Sequence, residues 1–171
     1  MSPRGSDRGR TTLHISRVEP FHVNWGKNKS AWVRVWTDTG LYGLGEASPM
    51  AYGNASLEII ASAFTPMLLG ADPLAQRVLQ DRLFHQHIKI GPEGAYAGAL
   101  AAVDIALWDL KGKLLGQPIY DYSGTHDVVF TRPVRPADGT FTLTDAPGLG
   151  LDLVEAELHK RMIPWSASAG R

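Results

Sequence analysis

The chain has 171 residues, 44% of them hydrophobic and 20% charged, and its 17 basic and 17 acidic side chains give zero formal charge. This balance removes the electrostatic attraction toward nucleic acid or an anionic membrane, and the lack of cysteine excludes disulfides, thiolate zinc sites and cysteine nucleophiles. The longest charge-free apolar run, Ile59 to Ala71, is too short to cross a bilayer. We expect a soluble, cytoplasmic protein of one main domain that binds neither nucleic acid nor membrane.

The first third of the chain predicts a three-stranded antiparallel meander. Residues 1–10 hold little that could be buried and are expected to form a disordered leader. From residue 12 apolar and polar residues alternate as in a half-buried strand, which ends between Pro20 and Val23. The β-branched and aromatic run 31–37, a turn at Gly40 and the run 41–47 then predict a hairpin.

Three helices are predicted to cover one face of this sheet. The first, residues 56–69, has apolar residues at intervals of three and four, and Pro66 should bend its last turn. The second is expected to begin at Asp72 and Pro73, and the third to end at Gly116. The side chains expected to face inward from the second and third helices are Leu74, Val78, Leu83, Tyr96, Leu100, Val103, Leu107, Leu110 and Leu114. The predicted class is α+β: a three-stranded meander followed by a three-helix bundle, with no TIM barrel.

After Pro118 the sequence loses this regular pattern. Residues 128–130 are compatible with one strand, and Asp138-Gly139 indicates a turn. A short helix is predicted over residues 153–161, ending before Pro164. We expect an irregular C-terminal segment.

Residues 13–118 resemble the N-terminal capping domain of the enolase superfamily, in its mandelate racemase and muconate-lactonizing branch. The resemblance rests on the hairpin of residues 33–47, on Gly70-Ala71-Asp72-Pro73 and on residues 102–113. Asp138-Gly139, together with residues 145–150, resembles the C-terminal segment of that family, which returns from the barrel to pack on the cap.

The resemblance implies three parts of the chain. These are a leader at residues 1–10, a capping domain at residues 11–121, and a junction with a remnant of the C-terminal segment at residues 122–171. The two family-like stretches look joined at about Tyr122 to Val128, as an internal deletion would produce.

The chemistry that the resemblance implies is Mg²⁺-dependent abstraction of the proton α to a carboxylate, carried out in a barrel between the cap and the C-terminal segment. Such a barrel needs about 200 residues, whereas the chain ends at Arg171, far too soon after Pro118. We therefore expect the capping domain of a mandelate racemase-like or sugar-acid dehydratase-like enzyme, inactive alone. No catalytic residue, metal ligand or cofactor is expected in this chain. Mg is expected only in the intact enzymes of the family.

Two capping loops close over the barrel mouth in this family and select the substrate. Carried over, they are residues 24–30 and 48–54, and Glu46 stands at the strand end just before the second loop. The side chains implied to face a ligand in an intact enzyme are Trp25, Lys27, Met50 and Tyr52. Lys27 would act by attracting a carboxylate. Without a barrel, these side chains are expected to face water or a partner.

Several patterns that imitate catalytic motifs are interpreted as structural. Lys111 and Lys113 imitate a Lys-x-Lys base motif, but they lie in the last turns of a helix, where cations favour the helix dipole. Asp104 and Asp109 point in different directions around the same helix, so we interpret them as capping, salt-bridging or surface groups.

Other candidate patterns are weak. Gly43 and Gly45 lie inside a strand, which favours close backbone approach or a bulge over a phosphate loop. His85 and His87 have no carboxylate close in sequence to complete a metal site, and a packed or solvent-facing pair is favoured. The tryptophans interpreted as core or cap-to-barrel packing are Trp32, Trp36 and Trp108.

Two alternative functions remain open. The chain could be an interaction or oligomerising protein that uses the exposed barrel-facing surface, because large exposed apolar patches tend to find partners. It could also be a cap that complements a separate barrel-containing chain. An acid sugar or another carboxylate would be bound only in an intact enzyme.

Overall fold

The computed structural model describes residues 13–26, 29–47, 53–86, 89, 93–119, 129–131 and 145–165. Its strands are β1 (Ile15–Asn24), β2 (Lys29–Thr37), β3 (Tyr42–Ala47) and β4 (Met162–Pro164), in the antiparallel order β3-β2-β1-β4. The α+β class and the meander are confirmed, and the described ranges form no barrel. The fourth strand was not predicted. The leader at 1–10, the junction from Tyr122 to Val128 and the Asp138-Gly139 turn lie outside the described residues.

Strand β1 contains a β-bulge, which fits the spacing of its apolar residues. Ile15 pairs with Thr37 and Arg17 with Trp36, so the register shifts by one residue between them. Because of this bulge, Ile15 and Val18 both pack on the helix side, although they are three residues apart.

The helices cover one face of the sheet, as predicted. They are α1 (Gly53–Glu58), a π-helical stretch (Ile59–Phe64), α2 (Thr65–Leu68), α3 (Gln76–Gln86) and α4 (Gly94–Leu115). In the π-helical stretch the N–H of Thr65 donates to the carbonyl of Ile60. This π-helical turn, which is wider than an α-helical turn, lies directly before Pro66. It accommodates the proline, so the helix continues to Leu68.

The start of α3 differs from the prediction. Asp72 accepts a hydrogen bond from the N–H of Leu74 at 2.9 Å, and this turn delays the helix to Gln76. Leu83 is buried as expected, whereas Leu74 is 41% exposed and Val78 is 67% exposed. The prediction that Leu74 and Val78 face inward is therefore wrong, because Leu79 occupies that position instead.

Helix α4 is the central helix of the fold. Its inward stripe is buried as predicted, except that Leu114 is only partly buried, and it ends at Gly116 with φ of 63°. A Cβ on Gly43 would lie 1.9 Å from the carbonyl oxygen of Ala106, and one on Gly45 would lie 1.9 Å from that of Ala102. Close backbone approach is thus confirmed as the role of these glycines, which let β3 lie directly on α4.

The C-terminal segment covers the other face of the sheet. A second core joins sheet residues to this segment through buried side chains that include Phe21, Trp32, Phe130, Leu151 and Leu158. The predicted short helix is α5 (Glu155–Arg161), and it leads directly into β4 beside β1. Both faces of the sheet are therefore packed. None of the helices in the described ranges is long and apolar enough to span a bilayer.

Candidate functional site

Both predicted capping loops connect to the same end of the sheet. The first connects β1, ending at Asn24, with β2, beginning at Lys29, and these two residues are paired. The second leaves β3 at Ala47 and enters α1 at Gly53. A cluster of polar side chains lies where the described ends of the two loops meet, and it consists of His22, Trp25, Ser30, Glu46 and Asn54.

Trp25 closes the base of the first loop. Its indole Nε1 donates a hydrogen bond of 2.5 Å to the hydroxyl oxygen of Ser30. The ring packs against the second core, with the guanidinium of Arg161 5.9 Å from its centroid. Next to it, Gly26 has φ of 88° and donates its N–H to the side chain of Asn24 at 2.9 Å. The indole N–H of Trp25 is therefore engaged within the chain.

Ser30 connects this loop to β3. Its side chain is buried and forms a hydrogen bond with Glu46, which lies diagonally across the strand pair. Burial raises the pKa of Glu46 to about 7, and the hydrogen bond from Ser30 opposes this shift in part. A serine hydroxyl can accept one bond and donate another at the same time. Trp25, Ser30 and Glu46 thus form a chain of hydrogen bonds.

His22 connects Ser30 to the second loop. The His22 ring is buried on the helix side of the sheet, with Nδ1 3.3 Å from the carbonyl oxygen of Ser30 and Nε2 2.8 Å from Oδ1 of Asn54. The edge of Trp165 packs against it at 6.0 Å between centroids. The protonated ring donates to both oxygens, while the neutral ring keeps both bonds if the Asn54 amide is turned.

The four ligand-facing residues implied by the resemblance fall into two groups. Trp25 lies at the base of the first loop with its ring half-buried, whereas Lys27, Met50 and Tyr52 lie outside the described residues. Their ligand-facing role stays a prediction for all four.

His22, Ser30 and Asn54 were missed by the sequence reasoning. His22 interrupts the apolar run from Phe21 to Val23, and this was the available signal.

Asp109 and Lys113 connect the helix to both faces of the fold. Asp109 is fully buried, and its carboxylate accepts the N–H of Leu44 at 2.9 Å and the N–H of Leu149 at 2.8 Å. Lys113 Nζ lies 2.8 Å from the carboxylate of Asp109 and donates to the carbonyl of Tyr42 at 3.2 Å. Burial raises the pKa of Asp109, and Lys113 acts against that shift. Of the roles considered for Asp109, the structure shows salt bridging, in the core; Lys113 contacts this carboxylate and a β3 carbonyl.

The other two residues that imitate catalytic motifs, Asp104 and Lys111, have different surroundings. Asp104 is partly buried and accepts a hydrogen bond from Gln76, while the ammonium of Lys111 lies 4.7 Å from the Trp108 ring centroid. Trp108 itself is 42% exposed and Trp32 is buried. Within the described residues, core packing therefore fits Trp32 and does not fit Trp108.

Arg34 holds the C-terminal segment against the sheet. Its side chain is buried, with Nε 2.8 Å from Glu19 and Nη1 2.9 Å from Glu155 of α5. The guanidinium also lies 5.2 Å from the ring centroid of Trp36 and 5.5 Å from that of Tyr42. A buried charge with two carboxylate partners and stacked rings is well compensated, so this network fixes where α5 sits.

The described residues do not fit a magnesium site. A magnesium ion needs several oxygen ligands converging on one point, and within the described ranges no three His, Asp or Glu side chains are grouped to hold a metal. The carboxylates of Glu46 and Asp109 are bonded to Ser30 and Lys113 instead.

The sheet with helices on one face and a C-terminal segment on the other has the architecture of an enolase-type capping domain. The family model described as "Mandelate racemase / muconate lactonizing enzyme, N-terminal domain" matches residues 10–124. The chain therefore belongs to this family.

The curated relatives that match the chain include D-galactonate dehydratase family members. A D-galactonate dehydratase family member of Oceanicola granulosus is 32% identical over 149 residues, which are 86% of this chain and 34% of that protein. A family member from Streptomyces sp. (strain SPB78) is 43% identical over 69% of this chain and 25% of its own length. The chain thus spans about a third or less of these curated relatives.

Solved structures give the same relationship. A mandelate racemase/muconate lactonizing protein from Paracoccus denitrificans PD1222, complexed with magnesium, is 53% identical with a TM-score of 0.60, over 62% of this chain and 29% of that chain. The 3,6-anhydro-D-galactonate cycloisomerase from Zobellia galactanivorans is 32% identical with a TM-score of 0.56, over 61% of this chain and 30% of its own.

Proposed function

We propose that this chain serves as the capping domain of a sugar-acid dehydratase-like enzyme, supplying the loops that close over a substrate carboxylate. The observation that carries the proposal is that the described ends of both predicted capping loops lie at one polar cluster, in which His22 and Ser30 are buried, in a domain of this family. The residues proposed to face the substrate are Trp25, Lys27, Met50 and Tyr52. The dehydratase class is supported by the names of the relatives, which are D-galactonate dehydratase family members.

The domain would be built from two stretches of sequence. We propose residues 11–121 as the cap, with residues 122–171 comprising the junction and the returning C-terminal segment. The contacts of Arg34 with Glu155 and of Asp109 with Leu149 support the proposal, because they tie the second stretch to the first. A cytoplasmic location stays a prediction.

A graft tests the capping role. Residues 13–119 and 145–165 would replace the corresponding stretches of the Paracoccus relative, which is 53% identical over the shared part. We expect a folded chimaera that retains the catalytic activity measured for its parent. A chimaera that folds but shows none of the parent's turnover would contradict the proposal, since the barrel of the parent is unchanged.

The chain alone is proposed to be catalytically inactive in the family reaction. In the family, Mg²⁺ stabilises the enediolate formed when the α-proton is removed, and the described residues do not fit such a site. The purified chain should give no dehydration or racemisation of acid sugars with added Mg²⁺. Turnover that a chelator abolishes would contradict this part of the proposal.

Association with another chain is the second candidate function. Its support is the exposure of large apolar side chains, with Val78 67% exposed, Leu115 54% exposed and Trp108 42% exposed. Light scattering should then show self-association, or co-expression with a cap-less barrel fragment should give a stable, active complex. A monomer that binds no apolar dye and no barrel fragment would contradict this candidate.

A further inference from the structure

Ser30 bonds toward both capping loops with different atoms. Its hydroxyl oxygen accepts from the Trp25 indole at 2.5 Å, at the base of the first loop. Its carbonyl oxygen lies 3.3 Å from His22 Nδ1, and Nε2 of the same ring lies 2.8 Å from Asn54 Oδ1, at the end of the second loop. Ser30 and His22 thus link the described base of the first loop to the described base of the second.

The surroundings make these bonds costly to break. Ser30 is 1% exposed and His22 is 7% exposed, so neither could easily exchange a protein partner for water. An unsatisfied buried donor or acceptor carries its full desolvation penalty. A displacement of one loop base therefore disturbs Ser30 or His22, and through them the other base. Hydrogen bonds in a network are coupled, and their coupling is reciprocal; here the network passes through the Ser30 hydroxyl on one side and the Ser30 backbone carbonyl on the other.

We propose that Ser30 is a positioning residue that couples the two capping loops, so that the bases of both loops hold one fixed relation to each other. This inference rests on the proposed function for its consequence, which is joint positioning of the two substrate-facing loops. The coupling itself is a property of the folded chain and can be measured without any activity. Ser30 would touch no substrate and would act through Trp25, Glu46 and His22.

The test uses NMR on the full-length chain. The indole signal of Trp25 is assigned by W25F, and its exchange with solvent reports on the first loop, while the side-chain amide of Asn54 reports on the second. In S30A the Trp25 indole should exchange about tenfold faster, as expected for loss of one hydrogen bond, and the Asn54 amide signal should shift. S30T restores a hydroxyl and should recover slow exchange.

Reciprocal variants test the coupling even if S30A fails to fold. N54A removes an exposed side chain at the second loop and should speed exchange of the Trp25 indole, and W25F should shift the Asn54 amide. S16A is the control, because Ser16 is exposed on the neighbouring strand β1 and donates a hydrogen bond to the Trp36 carbonyl at 3.4 Å. The Trp36 indole, which donates to Glu19 at 3.2 Å, serves as internal control for general loosening.

The possible results distinguish failure of the loop coupling from failure of the proposed capping function. If N54A leaves Trp25 exchange unchanged and W25F leaves Asn54 unchanged, the coupling is wrong whatever the graft shows. Equal acceleration at the Trp25 and Trp36 indoles would also overturn it, because that indicates global destabilisation. If the coupling is present and the chimaera is inactive, the proposed function fails and the positioning role of Ser30 stands.

Discussion

Asp109 and Lys113 stand one turn apart on α4, and their carboxylate and ammonium groups lie 2.8 Å apart where the helix meets both β3 and the C-terminal segment. The same carboxylate accepts the backbone N–H groups of Leu44 and Leu149. A buried charge with a cationic partner and two backbone donors is well satisfied. This pair therefore joins the two stretches of sequence that build the domain.

Removing this carboxylate should destabilise the whole domain. Asp109→Ala removes the buried carboxylate that accepts from Lys113 and from two buried N–H groups, so we expect a loss of about 3–5 kcal/mol in the free energy of unfolding. Urea denaturation measures this loss. Asp104→Asn on the same helix is the control and should cost less than about 1 kcal/mol, because its partner is the neutral amide of Gln76. Equal losses in the two variants would contradict the account.

Alanine at Gly43 should also be strongly destabilising. Its Cβ would lie 1.9 Å from the Ala106 carbonyl oxygen, which belongs to the helix backbone and cannot move alone. We expect a loss of about 3 kcal/mol or more in urea denaturation. At Gly98 the nearest atom to a new Cβ would be the Ser56 hydroxyl oxygen at 3.0 Å, so a side chain would have to shift by a few tenths of an ångström and no strand backbone would be met. Gly98→Ala should therefore cost clearly less, and a reversed order would show that β3 does not lie directly on α4.

Replacing Arg34 with lysine should weaken attachment of the C-terminal segment. A single ammonium cannot reach both Glu19 and Glu155 with the fork geometry of a guanidinium. We expect Arg34→Lys to lose about 2 kcal/mol and to increase hydrogen exchange in α5. Arg17→Lys is the matched control, because Arg17 also stacks on Trp36 but is exposed. An unchanged α5 in Arg34→Lys would be incompatible with the described role.

The protonation of Glu46 should make stability depend on pH. Its pKa is about 7 in the folded chain, against a reference of 4.5, so the folded chain keeps a proton that the unfolded chain releases. Glu46 therefore destabilises the fold progressively as the pH rises from about 4.5 to about 7, and the loss stays constant above. We expect this loss to be about 2 kcal/mol in the free energy of unfolding. The value is smaller than the full pKa shift would give, because Glu46 keeps partial access to water.

The variant Glu46→Gln isolates the contribution of the Glu46 carboxyl group to the pH dependence of stability. The difference between its unfolding free energy and that of the unmodified chain should change over this pH range and become flat above about pH 7. Glu93→Gln, at an exposed position before α4, controls for loss of one carboxylate. A difference curve for Glu46→Gln that is flat throughout the range would contradict burial as the cause of the raised pKa.

The parts of the fold that were predictable are those with a repeating local signal. The stripe of α4 and the hairpin around Gly40 have such signals, and both were found. Strand β4 was missed because a three-residue stretch ending in Pro164 shows no alternation. The start of α3 was misplaced because Asp72 and Pro73 form a turn before the helix instead of its first turn.

The candidate site was predictable only in outline. The resemblance located the two loops, but the polar cluster at their bases depends on pairing between distant stretches, such as His22 with Asn54. The burial of Asp109 likewise had no local signal, because its two backbone donors come from β3 and from the C-terminal segment. Contacts of this kind are set by tertiary packing.

The most direct test of the account is a substrate profile after loop exchange in the active chimaera. Residues 24–30 and 48–54 would be exchanged for those of the Paracoccus relative, and kcat/KM would be measured for a panel of acid sugars. If the cap selects the substrate, the exchange should change the ratio of kcat/KM between two acid sugars by about tenfold or more, while exchange of residues 69–75 leaves it unchanged. An unaltered ratio after loop exchange would contradict the capping function.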